Sequence, residues 1–233
     1  MAAIDRQGSL AKIEVLQGLT PSDYGALAAK CRWRFYPKGQ QIIEQDSGSA
    51  DVFFVAQGQV RATIYAVNGR EVTFRDLADG ASFGELAAVD GRSRSTSVVA
   101  MADTWLASLT RDQFKQTLRA YPVVVDNVLN RLVGLVRNLT ERIVEYSTLG
   151  VRNRIQAELL RMAREKGVKN NRASIAPSPK HADIASRVST NREEVTREFG
   201  HLAREKILER RRGELAILDV QRLADMVDKV REQ

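Results

Sequence analysis

The spacing of apolar positions changes three times along the chain. In residues 1–35, Leu10, Ile13, Leu16 and Leu19 recur at the interval of a helical face, with Pro21 or Ser22 placed to cap a helix. From Tyr36 the runs shorten. PKGQQIIEQ, DVFFVAQGQVRATIYAV, NGREVTFRDLADG and SVVAMADTWLASL are β-rich and divided by Pro-Lys-Gly, Asp-Ser-Gly, Asn-Gly and Asp-Gly turn signals. Asn68-Gly69 reads as a tight hairpin turn, since both turn residues must accept positive φ. Several short strands at this spacing predict a sandwich or barrel.

After Arg111 the period changes again. Val125, Leu129, Leu132, Val136, Leu139, Ile143 and Tyr146 alternate at four and three residues, which is a heptad seam. A helix packed only on its own domain would also be amphipathic. The strict seven-residue repeat is narrower than such a face and favours a seam between two chains. Leu149-Gly150 ends the helix and supplies a hinge.

The last third predicts a helix over 151–164, a loop containing Gly167 and KNNRAS, two short helices and a closing hairpin. SPKHADIASRV is the first short helix, with Ser178 expected as its cap and Pro179 in its first turn. STN turns the chain into REEVTREFGHLAREK, and ILERRRGELAILD forms two strands around Arg212-Gly213. Helix, tight turn, helix and basic hairpin describe a winged helix-turn-helix. The expected fold class is α+β, divided as an N-terminal β-roll over 1–118, a dimerisation helix and hinge over 119–149, and a winged helix-turn-helix over 150–233.

Charge is uneven along this pattern. Residues 151–233 carry 19 Lys and Arg against 13 Asp and Glu, so +6 of the formal +7 lies in the last third. A basic domain joined to a near-neutral one points to a nucleic-acid partner. The single cysteine, Cys31, excludes an internal disulfide and a four-thiolate cluster, and it suits a reducing cytoplasm. The N-terminus lacks the apolar core of a signal peptide, and no stretch approaches the roughly 20 apolar residues of a membrane span. A soluble cytoplasmic protein with no membrane partner is the expectation. There is no phosphate loop ending in Gly-Lys-Ser/Thr, no His-Glu-x-x-His and no nucleophile–histidine pattern, so an enzyme is not expected.

The segment FGELAAVDGRSRSTSVVA, from Phe83 to Ala100, carries the most specific chemistry. Gly84 permits close backbone approach to a ligand. Glu85 offers a carboxylate suited to a ribose 2′-hydroxyl. Arg94, beside Ser95 and Thr96, offers a guanidinium suited to a cyclic phosphate. Spacing alone leaves an ordinary Glu85–Arg94 ion pair equally open. In the second short helix, NREEVTR places Arg192, Glu193 and Arg197 near the N-terminus. A Glu193–Arg197 surface pair at i, i+4 is the bland reading. The other reading is base contact in a major groove, Arg to guanine and Glu to cytosine.

The Phe-Gly-Glu-Leu-Ala and Arg-Ser-x-Ser-Val segments resemble the phosphate-binding cassette of cyclic-nucleotide-binding domains. Over essentially its full length the chain resembles the Crp/Fnr family of bacterial regulators, and most closely the rhizobial members that answer to cAMP and cGMP. The resemblance implies a nucleotide-binding β-roll, a long dimerisation helix and a winged helix-turn-helix. It places Gly84 and Glu85 on the ribose, Arg94 and Ser95 on the cyclic phosphate, and the backbone of Leu86 and Ala87 in the cradle. Two positions of the long helix, Leu139 and Thr140, match residues that contact the base. Leu139 lacks the family's hydroxyl, which makes cGMP a second ligand beside cAMP. Arg192, Glu193 and Arg197 match the family's reading residues for a TGT…ACA palindrome. Lys180, His181, Asn191, Arg210, Arg211 and Arg212 are the expected phosphate contacts. The implied partners are double-stranded DNA, a second copy of the chain and RNA polymerase, the last through the loop 167–174. No metal is implied. The family's iron–sulfur sensors need several cysteines, and the only histidines, His181 and His201, lie in the last third.

Overall fold

The computed structural model describes residues 4–65 and 71–231. By contacts the chain divides into two units, Met1–Val136 and Arg137–Gln233. Asn68-Gly69 lies outside the described residues.

The first unit opens with helix α1 (Arg6–Leu10), a 3₁₀ turn at Glu14–Leu16 and helix α2 (Pro21–Lys30). Thr20, rather than Pro21 or Ser22, caps α2. It forms a capping box with Asp23, and Pro21 takes the first helical position. Extended chain begins at Arg32, four residues earlier than the sequence pattern suggests, because Trp33 and Phe35 pair with strand rather than continuing a helix.

The strands are β1 (Arg32–Tyr36), β2 (Gln41–Ile43), β3 (Val52–Gln57), β4 (Gln59–Tyr65), β5 (Glu71–Ala78) and β6 (Ser82–Phe83). Helix α3 (Glu85–Asp90) follows, then β7 (Ser97–Ala100) and β8 (Thr104–Leu109). They form two antiparallel sheets, ordered β1-β8-β3-β6 and β2-β7-β4-β5. Two runs that read as single strands are each broken in two. Gly58 makes the break between β3 and β4 at φ 107°, where a Cβ would stand 2.6 Å from the Asp103 carbonyl.

Two apolar clusters explain why β3 is hydrophobic almost throughout. Val52 and Phe54 pack with Leu10, Leu16, Leu27 and Phe114. Val55 packs between the sheets with Val60, Leu77, Val98 and Leu106. A strand covered on both faces loses the simple alternation. Cys31 lies in the first cluster, and burial pushes its thiol up to about 12.

Helix α4 (Arg111–Ala120) leads into α5 (Pro122–Thr148), the long helix. Leu149 and Gly150 separate it from α6 (Val151–Lys166). The second unit continues with β9 (Ala173–Ile175), α7 (His181–Arg187), α8 (Arg192–Arg204), β10 (Leu208–Arg211), β11 (Glu214–Ile217) and α9 (Val220–Arg231). Its sheet runs β10-β11-β9. The pattern missed β9, which is only three residues long, and α9. Lys180, not Ser178, takes the N-cap position of α7, without a side-chain cap. Ser178 is drawn to the wing instead, where its N–H donates to the Gly213 carbonyl at 2.9 Å. The core of this unit joins Ile155, Leu159, Ile184, Val195, Leu202, Leu215 and Leu223.

Candidate ligand cassette and nucleic-acid interface

The cassette turns on Gly84. Its φ of 88° is left-handed, and a Cβ there would lie 2.7 Å from both Arg94 Nη1 and the Asp51 carbonyl. Only glycine lets the chain enter α3 so close to that guanidinium. Gly84, the N-cap of α3, makes no side-chain cap bond, and the first turn runs through Glu85, Leu86 and Ala87, whose N–H groups have no intrahelical acceptor. Leu86 is 41% exposed. Arg111 braces the other end by donating to the Ala88 carbonyl at 3.1 Å.

Arg94 is 2% exposed. Its Nε donates to Ser49 Oγ at 3.0 Å, Nη1 to the Gly84 carbonyl at 2.9 Å and Nη2 to the Asp51 carbonyl at 2.7 Å. These contacts fix the plane of the guanidinium and leave part of its five-donor fork uncommitted. Burial lowers its pKa, and the charges of Asp51 and Glu85 partly restore it. Ser95, the next residue, is exposed.

The ordinary Glu85–Arg94 ion pair is not what forms. Glu85, 8% exposed, pairs with Arg131 of α5, whose Nε stands 3.4 Å from Oε1. Arg131 also donates to the Ser82 carbonyl and reaches Glu14 at 3.5 Å. Sequence reasoning missed Arg131, which lies between heptad positions of the long helix. Leu139 and Thr140 are exposed on α5 and belong to the second unit.

In the second unit, α8 is the candidate reading helix. Asn191 caps it, its Oδ1 accepting from the Glu194 N–H at 2.9 Å. Glu193 and Glu194 sit in the first turn, where the helix dipole favours carboxylates. The buried face is Val195, Glu198, Phe199 and Leu202, which leaves Arg192, Glu193 and Arg197 together on the exposed face. The surface pair that forms is Glu194–Arg197 at 2.7 Å, in place of the alternative Glu193–Arg197 pair.

The expected phosphate contacts divide into groups. His181 joins three elements: Nδ1 meets Thr196 Oγ1 of α8 at 2.8 Å, Nε2 stands 3.4 Å from Arg210 of β10, and the ring edge rests on Phe199. Burial first, then the charges of Arg210 and Arg192, lowers its pKa. Lys180 and Arg212 are exposed. Arg211 is held by Glu209 at 2.7 Å and Glu214 at 3.7 Å. Glu198 is a buried carboxylate that the sequence did not reveal. Gln156 donates to it at 2.6 Å and Arg152 pairs with it at 2.9 Å, so α6 fixes α8 through polar contacts. Among the described residues no cluster of His, Cys, Asp and Glu could hold a metal ion, and no helix is long and apolar enough to cross a membrane.

Known proteins match both halves of this arrangement. The family model described as "Cyclic nucleotide-binding domain" matches residues 33–121. "Crp-like helix-turn-helix domain" matches residues 153–226. The cyclic AMP receptor protein of Thermus thermophilus is 30% identical over 199 residues, covering 83% of this chain and 87% of that protein. A CRP-like cAMP-activated global transcriptional regulator of Mycobacterium tuberculosis is 23% identical over 216 residues, covering 92% and 96%. The solved structure of a CooA mutant from Carboxydothermus hydrogenoformans superposes with a TM-score of 0.77 at 22% identity, covering 87% of this chain and 90% of that one, a likeness of fold.

Proposed function

The chain belongs to the Crp/Fnr family, whose members are DNA-binding transcription regulators and not enzymes, and from that premise we propose that it is a homodimeric regulator switched by cAMP, with cGMP as a second effector, on a TGT…ACA palindrome. The observation that carries the reading is the buried Arg94 guanidinium beside the uncapped first turn of α3. A singly charged cyclic phosphate would take the remaining Arg94 donors, Ser95 and the N–H groups of Leu86 and Ala87. The ribose would engage Glu85 and Gly84. Leu139 and Thr140 would meet the base.

Dimerisation is supported by the α5 seam. Leu129, Val136 and Ile143 are 55%, 61% and 66% exposed in the single chain, too much apolar surface to leave in water along one stripe. Arg192, Glu193 and Arg197 then read each half-site, while Lys180, His181, Asn191, Arg210, Arg211 and Arg212 meet phosphates. Nucleotide acts by favouring one of two states of the dimer, by no more than its differential affinity for them. A cytoplasmic location and a contact between the loop 167–174 and RNA polymerase complete the reading.

One observation favours a second reading, a nucleotide-independent regulator with a vestigial pocket. Glu85 is already paired with Arg131, and Arg94 already has three protein acceptors. Titrating a labelled palindrome at fixed salt, without nucleotide and with cAMP or cGMP, separates the two. Tightening with either nucleotide supports the switch. Equal affinity in all three arms, with no nucleotide binding by calorimetry, supports the vestigial pocket.

A further inference from the structure

The turn of the helix-turn-helix hangs on the end of the long helix. Arg187 is the last residue of α7, and its carbonyl is one of those a helix terminus leaves without an intrahelical partner. Two side chains of α5 satisfy it. Arg142 Nη2 donates to it at 3.2 Å and the Tyr146 hydroxyl at 2.8 Å. The Tyr146 ring is steadied from its other side by Arg154, whose guanidinium lies 5.2 Å from the ring centre.

The Arg187 side chain turns to the same place. Its Nη1 meets Glu158 Oε1 at 3.1 Å. Glu158, in the middle of α6, is 1% exposed and serves two more guanidiniums, Arg142 at 3.6 Å and Arg161. Arg161 in turn grips Glu145 of α5 at 2.8 Å. Thus α5, α6 and α7 meet in one buried network of two carboxylates and three arginines. A buried charge left without its partner is costly, so the members of such a network keep or lose their arrangement together. Four residues beyond Arg187, Asn191 caps the reading helix.

We infer that Glu158 is a positioning residue for DNA reading, and that with Arg142 and Tyr146 it carries the state of α5 into the α7–α8 turn. This rests on the nucleotide switch proposed above. Coupling between two ligands is reciprocal: nucleotide changes DNA affinity by the same factor as DNA changes nucleotide affinity. Loosening the link lowers that single factor, read equally in either ratio. A merely structural role would shift absolute affinities or stability and leave that factor unchanged.

The test uses the full-length protein, cAMP and the labelled palindrome. Operator affinity is measured with and without cAMP, and cAMP affinity with and without operator. Tyr146→Phe deletes one hydroxyl, keeps the ring and leaves the buried charges in place, so it folds even if Glu158→Gln does not. Both ratios should fall about threefold or more in Tyr146→Phe, the effect of one lost hydrogen bond, and further in Glu158→Gln, with non-specific DNA affinity of Tyr146→Phe unchanged and its melting temperature lowered by no more than that one bond accounts for. Wild-type ratios retained in Tyr146→Phe overturn the inference while leaving the nucleotide switch intact. A ratio of one in the wild type overturns the switch itself, and the coupling role with it.

Discussion

Arg131 and Glu85 meet at 3.4 Å with side chains only 9% and 10% exposed, so the carboxylate assigned to the ribose is held by the long helix of its own chain. Removing the cation leaves Glu85 buried and unpaired. Arg131→Ala should therefore lower unfolding free energy by about 3 kcal/mol, seen as an earlier midpoint in urea. A loss below about 0.5 kcal/mol, the scale of an exposed pair, would mean that solvent reaches the site and that Arg131 contributes little. Glu85→Gln keeps the shape and should weaken cAMP binding about tenfold or more by replacing a charged acceptor with a neutral one.

On α8, the Arg197 side chain is 74% exposed and pairs with Glu194, an i, i+3 surface pair that DNA can displace at little cost. Arg197→Ala should weaken operator binding by about 1–3 kcal/mol and flatten the preference for guanine at its position, with little change on random DNA. Arg212→Ala should weaken all sequences alike and reduce the salt slope by about one. Arg211→Ala should do less, because Glu209 and Glu214 already hold that guanidinium. Binding profiles on a half-site library at two salt concentrations separate the three outcomes. Identical profiles for Arg197→Ala and Arg212→Ala would contradict the division into reading and positioning residues.

His181 has a lowered pKa in the folded chain, chiefly from burial and then from Arg210 and Arg192. The unfolded chain, with an ordinary imidazole near 6.5, therefore binds the proton first as pH falls. Stability is full above the unfolded value and declines as pH drops through 6.5 toward the folded value, then levels off. Denaturant titrations between pH 7.5 and pH 5, a window of about the histidine range, should show this decline in the wild type and less of it in His181→Gln. Equal slopes in the two proteins would assign the decline to other groups.

What the sequence made legible was whatever rests on local chemistry or on period. The long helix followed from its heptads and the wing from Arg212-Gly213, while the cassette was legible only through the resemblance that Phe-Gly-Glu-Leu-Ala and Arg-Ser-x-Ser-Val carry. What it hid was settled by tertiary neighbours. Ser178 looks like a helix cap, but its N–H donates to the Gly213 carbonyl and Lys180 holds the cap position. Glu85 and Arg94 look like partners, yet Arg131, 46 residues downstream of Glu85, takes the carboxylate. Glu158 and Glu198 are among the most buried polar groups, 1% and 5% exposed, and the sequence pattern did not single them out. No local rule marks them, because the arginines and the glutamine that compensate them come from helices brought together only by folding. Short elements such as β9, with three residues, fall below the length at which a period can be read.

Cys31 gives the molecule a practical property. A thiol must ionise to react, and one that is buried, with a pKa pushed up to about 12, stays silent toward maleimides at neutral pH. Because it is the chain's only cysteine, the wild-type protein already serves as an unreactive background for spectroscopic labelling. A single introduced cysteine on exposed α8, such as Arg204→Cys, would carry the only dye on each chain. In a homodimer that one substitution supplies a matched pair of dyes. Their separation would follow the two reading helices as nucleotide is added, in real time and without altering either site.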